Sequence, residues 1–344
     1  MKALLYRETG GPEVLECVDV ADPQPGPRDV VVRVAAAALN HLDVVQRNGW
    51  FMMDGFTLPH IAGMDVAGTI VAVGSEVSHV RIGERVVIDP SLTEVPEGSK
   101  LSGRGDLYGA LGVIGANADG GYAELCLAPE THVHVIPEHI DDHAAAAFPS
   151  AWLTAHHALF DRGNLRAGET VMVHAAGSGV STAAIQLAKS HGATVLATAG
   201  TTEKCDRALA LGADFATTNR DVDIAGWVRE VTDGAGVDMV FDHVGPALFA
   251  QSLFALKPRG RLVNCGNTTG DTATIASLGH LFHMGISIIG SDPYRYSEFG
   301  AVWREFTTGQ FHTPIDSVFA LADGAAAQDK MLRGDFFGKI LLEP

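Results

Sequence analysis

Cysteine is scarce in this chain. The 344 residues hold four, Cys17, Cys126, Cys205 and Cys265, too widely separated for a C-x-x-C metal knuckle or a disulfide framework. Lysine is scarce too: seven of the 24 basic residues are Lys, set against 41 acids, and the formal charge is −17. That balance excludes nucleic acid or an anionic membrane as the main partner. No stretch reaches the roughly 18 consecutive apolar residues of a membrane span. The opening residues MKALLYRETG lack the apolar core of a signal peptide. A soluble, cytoplasmic protein without a membrane partner is expected, long enough for one large or two ordinary domains.

The stretch from Glu169 to Lys204 organises the rest. An apolar run, Val171 to Val173, ends in Gly177-Ser178-Gly179. Ala183, Ala184, Leu187 and Ala188 then recur at helical spacing before a second apolar run, Ala193 to Ala197. Strand, glycine turn, helix and strand in that order put backbone N–H groups and the positive end of a helix at the turn, where a pyrophosphate can sit. The same pattern also serves as a plain tight βα connection. Past the second strand no acid appears before Glu203, whereas Gly200, Thr201, Thr202 and Lys204 offer space, hydroxyls and a cation. That set suits a 2′-phosphate better than a free ribose hydroxyl, and NADP(H) is the expected cofactor.

Residues 1 to about 40 alternate short apolar runs with turns, a β-rich entry. Asn40-His41-Leu42-Asp43 opens a short polar helix or turn; Trp50 to Phe56 is rich in aromatics and Met; His60 to Gly74 looks like a strand pair in a small barrel. From Pro90 to Gly121 no period holds, so a long functional or interfacial loop is expected. After Lys204, helices and buried strands alternate through Val237 to Phe241 and Arg261 to Cys265, which predicts a parallel sheet wound on both faces. Ile286 to Gly290 reads as an edge strand, which a second copy across a two-fold axis could cover. A final strand is expected at Lys339 to Leu342.

With these landmarks placed, the chain resembles the medium-chain dehydrogenase/reductase superfamily, and more closely its quinone-oxidoreductase-like branch. The resemblance rests on Leu39-Asn40-His41-Leu42-Asp43, Gly63-Met64-Asp65-Val66-Ala67-Gly68, Gly120-Gly121-Tyr122-Ala123-Glu124, Thr154-Ala155-His156, Ala176-Gly177-Ser178-Gly179-Val180, Leu211-Gly212-Ala213-Asp214 and Phe337-Gly338-Lys339-Ile340, in that order. It implies an α/β chain with a GroES-like β-barrel catalytic domain at 1–151, a Rossmann doubly wound domain at 152–292 and a C-terminal return at 293–344, assembled as a homodimer or homotetramer. It also implies a set of cofactor residues. His41 approaches the pyrophosphate, Gly177, Ser178, Gly179 and Val180 form its turn, and Gly200, Thr201 and Lys204 hold the 2′-phosphate. Thr154 lies under the nicotinamide, and Gly266, Asn267 and Thr268 flank it. Lys339 resembles a cofactor-side lysine, with a solvated strand end as the plainer reading.

The departures from the family pattern carry equal weight. The positions matching the three zinc ligands of the zinc-dependent members hold Asn40, Met64 and Ser150, an amide, a thioether and a hydroxyl, where Zn²⁺ wants thiolate, imidazole or carboxylate. The relay hydroxyl is replaced by Leu42, and the loop from Pro90 to Gly121 has no cysteine for a structural zinc. His132 and His134, read as one strand, and the neighbours His156 and His157 do not restore a site; no metal is expected. Val45 and Phe51 stand where the branch tends to carry substrate-side tyrosines. At the glycine turn Ala175, Ser178 and Ser181 occupy the small-residue positions, which puts the close packing of the helix in question.

Without a Lewis acid, conjugate reduction is the easier chemistry: charge arriving at the β-carbon of an enone or quinone spreads to the carbonyl oxygen, where neutral donors can stabilise it. Asn40 is the candidate donor, with a turn-capping amide as the alternative, while Asp43 and Asp65 are read as braces of the barrel. The expected activity is a zinc-independent, NADPH-dependent reductase of small apolar α,β-unsaturated carbonyls or quinones. A metal-free alcohol dehydrogenase or ketoreductase, and an NADPH-binding protein without turnover, are the competing readings. Trp50 to Phe56, Tyr108, Trp152 and Phe282 are candidates for the pocket lining or for core.

Overall fold

In the computed structural model, residues 1–93, 108–109, 112–220 and 222–344 are described. Half of the irregular Pro90 to Gly121 segment, residues 94–107 and 110–111, therefore lies outside the described residues. Two compact units account for the chain, one formed by Met1–Ser150 with Arg295–Pro344 and the other by Ala151–Tyr294. Among the described residues no helix is long and apolar enough to cross a membrane.

The second unit is built on six parallel strands, in the spatial order Phe215–Thr218, Thr194–Ala199, Thr170–Val173, Val237–Asp242, Leu256–Asn264 and Ser287–Gly290. Strands buried on both faces read as continuous apolar runs, and Val237–Asp242 is buried at every position. Each of its larger apolar side chains contributes about 1.5–3 kcal/mol by leaving water. The connecting helices begin where the sequence offers an oxygen. Ser178, Thr201, Asp223 and Ser277 each accept a backbone N–H from the first turn that follows them. The outer strand Ser287–Gly290 is largely exposed, and Phe254, Leu278, Phe282 and Ile288 of this unit are exposed apolar residues.

The first unit has a three-stranded antiparallel sheet, Glu16–Asp19, Lys2–Tyr6 and His60–Ile61. Its larger sheet is centred on Asp29–Ala38. That strand pairs with Asp65–Val73 along one edge, and with Leu125–Pro129 and Lys339–Glu343 on different parts of the other. Register shifts within it mark bulges that let one strand serve three partners. The C-terminal segment adds Ile315–Ala320 and Lys339–Glu343 as a parallel pair. Gly338, just before the last strand, adopts φ +98°, and a Cβ there would overlap the Pro314 carbonyl, so only glycine fits.

Several details depart from the expectations. His132 belongs to a 3₁₀ turn, Glu130–His132, and only His134 lies on the strand Val133–Val135. The sequence after Pro149 predicts a helix through Trp152 to Phe160; the structure has an α-helix, Pro149–His156, continued by a π-helical turn, His157–Arg162. Trp152 is buried and belongs to the core, whereas Trp50, Phe51 and Phe282 are exposed.

Candidate functional site

Each unit carries its own group of chemically capable residues. In the parallel sheet the strand order reverses between Thr170–Val173 and Val237–Asp242, where an open sheet of this kind leaves a crevice at the carboxyl ends of its strands. The turn leaving Val173 leads into the helix Gly179–Ser190, whose 12 residues direct a partial positive charge at the turn. Ser178 caps that helix, its Oγ accepting from the Ser181 N–H at 3.2 Å. Ala175 in this turn has φ +48°, a left-handed conformation that costs a residue with a Cβ about 1–2 kcal/mol. Ala175→Gly is therefore expected to raise unfolding stability by about 1 kcal/mol, read as a higher urea midpoint; a lower midpoint would show that the methyl group packs for a larger gain.

Hydroxyl hydrogens settle two histidine tautomers here. His174 is buried, with Nδ1 2.8 Å from Thr198 Oγ1 and Nε2 2.8 Å from Ser252 Oγ. Ser252 already donates to the Leu248 carbonyl at 2.8 Å, so His174 Nε2 bears the proton and Nδ1 accepts from Thr198. Burial drives the His174 pKa down to about 3, and the ring stays neutral. Ser181 likewise donates to the His174 carbonyl at 2.7 Å, so the nearby His243 Nε2, 2.9 Å from Ser181 Oγ and 3.0 Å from Ser178 Oγ, acts as donor. The serine in place of a third glycine is thus used: its hydroxyl ties the turn to the far side of the reversal point.

Residues 266–268 are strapped to the same place. Thr268 N and Oγ1 donate to the His243 carbonyl at 3.2 and 2.9 Å. Gly266 passes so near that a Cβ would stand 3.0 Å from His243 Cβ. Asn267 is exposed and donates to Asp271 at 3.0 Å. At the end of Thr194–Ala199, Thr201 caps the next helix, accepting from Lys204 N at 3.3 Å, and no atom lies within 4 Å of where a Gly200 side chain would begin. The neighbouring strand ends beside it: Asn219 N donates to the Ala199 carbonyl at 2.8 Å, which places Arg220 on the same edge. Sequence reasoning passed over His243 and Arg220. The Asp-His-Val-Gly run that closes the fully buried strand Val237–Asp242 is the available signal for the first. Thr154 is half-buried on the helix Pro149–His156.

In the other unit, three residues from distant parts of the chain meet at one buried carboxylate. Asp65, fully buried, accepts from Ser150 N at 3.0 Å and Ser150 Oγ at 2.6 Å on one oxygen, and from Asn40 Nδ2 at 2.9 Å and Lys339 Nζ at 3.0 Å on the other. Lys339 also donates to Asn40 Oδ1 at 2.9 Å. Its side chain is 5 % exposed, which corrects the reading of a solvated strand end. Asn40 needs a correction as well. Its oxygen is taken by Lys339, and its amide nitrogen by Asp65 and, at 3.4 Å, the Ala38 carbonyl; it does not stand free as a donor to substrate. His41 is exposed at the start of the helix His41–Arg47. Asp43, buried on that helix, accepts from Asn40 N at 2.8 Å and from Tyr122 OH at 2.5 Å. Burial outweighs these bonds and pushes the Asp43 carboxyl up to about 6. Met64 receives the Tyr108 hydroxyl at 3.4 Å from its sulfur.

The chain as a whole is similar to known proteins. Residues 26–138 match the family model of the alcohol dehydrogenase GroES-like domain, and residues 179–308 that of zinc-binding dehydrogenases. A quinone oxidoreductase of Pseudomonas aeruginosa is 33% identical over 357 residues, covering 100% of this chain and 99% of that protein. Among solved structures, an NAD-dependent alcohol dehydrogenase aligns with a TM-score of 0.93 at 38% identity, over 100% of both chains. The Escherichia coli quinone oxidoreductase in complex with NADPH aligns with a TM-score of 0.85 at 26% identity, again over 100% of both.

Proposed function

Since this chain belongs to the medium-chain dehydrogenase/reductase family, as an oxidoreductase of its quinone-oxidoreductase-like branch, we propose that it reduces α,β-unsaturated carbonyls or quinones with NADPH and without a metal. The observation carrying this reading is the edge formed by Gly200, Thr201, Lys204 and Arg220. It has room at Gly200, the cap hydroxyl of Thr201 and two cationic residues. The residues fit a dinucleotide phosphate: the capped start of Gly179–Ser190 would face the pyrophosphate, and Lys204 with Arg220 the 2′-phosphate.

When bound, NADPH would supply the hydride. The chain's own part is to hold and orient: His243, fixed as an Nε2–H donor, and the strapped segment 266–268 shape the reversal point, and neutral His174 stiffens the turn from within. Asn40, Met64 and Ser150 offer Zn²⁺ an amide, a thioether and a hydroxyl, two of them already bound to Asp65. That donor set favours conjugate reduction over carbonyl chemistry that leans on a Lewis acid.

A second reading, alcohol dehydrogenation with NAD(H), draws on the likeness to the NAD-dependent enzyme. A paired titration with NADPH and NADH, followed by turnover with one quinone, one enone and one alcohol, separates the two. Lys204→Ala is expected to weaken NADPH binding by about tenfold to a hundredfold, the worth of one charged hydrogen bond, and to leave NADH nearly unchanged. Equal loss for both would remove the 2′-phosphate assignment. Retained NADPH binding with no turnover across the panel would favour a non-catalytic role.

We also propose a homodimer or homotetramer assembled through the exposed strand Ser287–Gly290, with the exposed Leu278, Phe282 and Ile288 of the same unit as apolar surface for a second copy to cover. Light scattering should give twice the chain mass or a multiple of it; a monomer at micromolar concentration would count against this.

A further inference from the structure

Two donors converge on a single buried hydroxyl at the turn after Val173. Ser181 Oγ has one hydrogen, and it goes to the His174 carbonyl at 2.7 Å. Toward its two other polar neighbours, His243 Nε2 at 2.9 Å and Ser178 Oγ at 3.1 Å, that oxygen therefore acts as the acceptor. One donor is enough to satisfy it. We propose that His243 is a positioning residue for the cofactor turn: by supplying the hydrogen bond that Ser181 accepts, it releases the Ser178 hydroxyl to donate to the dinucleotide pyrophosphate.

The two serines are placed for different tasks. Ser181 is fully enclosed, whereas Ser178 is half-buried and open to a ligand. Ser178 Oγ also accepts from the Ser181 N–H at 3.2 Å, so the cap of the helix Gly179–Ser190 persists when its O–H turns outward. The turn need not come apart to present the donor. Inside the turn that O–H has only a long contact, 3.1 Å to Ser181 Oγ, and a phosphate oxygen, being charged, is the stronger acceptor. His243 is held on both sides of its role. Thr268 N and Oγ1 donate to its carbonyl at 3.2 and 2.9 Å, and its Nε2 lies 2.9 and 3.0 Å from the two serine oxygens. Backbone N–H groups and the helix dipole favour an anion at any such turn. Here one directed hydroxyl is added, and the histidine decides whether it is available.

Resting on the dinucleotide assignment of this turn, and deepening it, the role of His243 is tested by binding. NADPH and NADH are titrated by calorimetry beside adenosine 2′-monophosphate, which has the 2′-phosphate but no pyrophosphate. His243→Phe leaves Ser181 dependent on Ser178, and is expected to weaken both dinucleotides about tenfold and to leave the monophosphate unchanged. His243→Gln, whose amide can still donate, should recover part of that loss. Ser178→Ala should cost at least as much, and adding His243→Phe to it no more. Ser181→Ala removes the competing acceptor, and in that background His243→Phe should have no effect. Circular dichroism verifies each fold, with His243→Leu as a second donor-free variant. Unaltered dinucleotide affinity in His243→Phe, or equal losses from it in all three backgrounds, would overturn the proposal. A matching fall in monophosphate binding would do so too, by showing damage to the whole turn. A parent chain that binds neither dinucleotide removes the cofactor assignment along with it, whereas binding without coupling between 178 and 243 removes the role of His243 alone.

Discussion

Lys339→Met is expected to lower unfolding stability by about 3–5 kcal/mol, because it leaves a fully buried carboxylate without its charge partner. Asp65 is completely enclosed and the Lys339 side chain nearly so. Here the cost of an unpaired ion, rather than the modest worth of a surface salt bridge, sets the scale. Asn40 and Ser150 would still donate to Asp65, which keeps the loss short of a full desolvation penalty. The double variant Asp65→Asn/Lys339→Met removes both charges and should regain much of the loss, since neutral groups of similar volume can replace a buried pair at little cost. Urea midpoints of the two single variants and the double variant form a cycle, and a coupling near zero would mean the pair is not acting as one unit.

Asp43 should imprint a pH dependence of opposite sense to that of a salt-bridged carboxylate. Its folded-state pKa, about 6, stands above the ordinary 3.8 because burial disfavours the charge. The folded chain therefore holds a proton there that the unfolded chain has released. The resulting stabilisation is fully present below about pH 4 and is lost as pH rises through about 6. The shift corresponds to about 3 kcal/mol. Asp43→Asn stays neutral and can still accept from Asn40 N and Tyr122 OH through its oxygen. Stability measured against this variant should therefore fall by about that amount between pH 4 and 7. A flat difference would place Asp43 in a better solvated setting than its burial implies.

How much of this was legible beforehand depends on the range of the interaction. The glycine turn, the helix starts at Ser178 and Thr201 and the buried strand from Val237 are written in neighbouring residues, where period and capping chemistry act, and the fold class followed from them. The short strands Phe215–Thr218 and Ile315–Ala320 went unnamed, because four to six residues beside turns show little period. The buried polar cluster was beyond reach in a stronger sense. Lys339 and Asp65 are 274 residues apart, and a lysine preceding a terminal apolar strand looks like any solvated end until the fold buries it. Asn40 stands out in the sequence as a candidate donor, but its use depends on partners that only tertiary structure supplies. His243 is marked in the sequence only by the Asp-His-Val-Gly run, and its use as a donor becomes legible once the hydroxyls around it are placed.

Gly338 bears on how this lineage can change. The residue ahead of Lys339 admits no side chain, so the backbone that launches the lysine cannot be retuned by ordinary replacement. One nucleotide change can alter what stands at 339, but none at 338 can move it to a better place. The charge at the heart of the barrel can thus be exchanged or lost in a single generation, and shifting it would require the descent of a differently paired C-terminal strand.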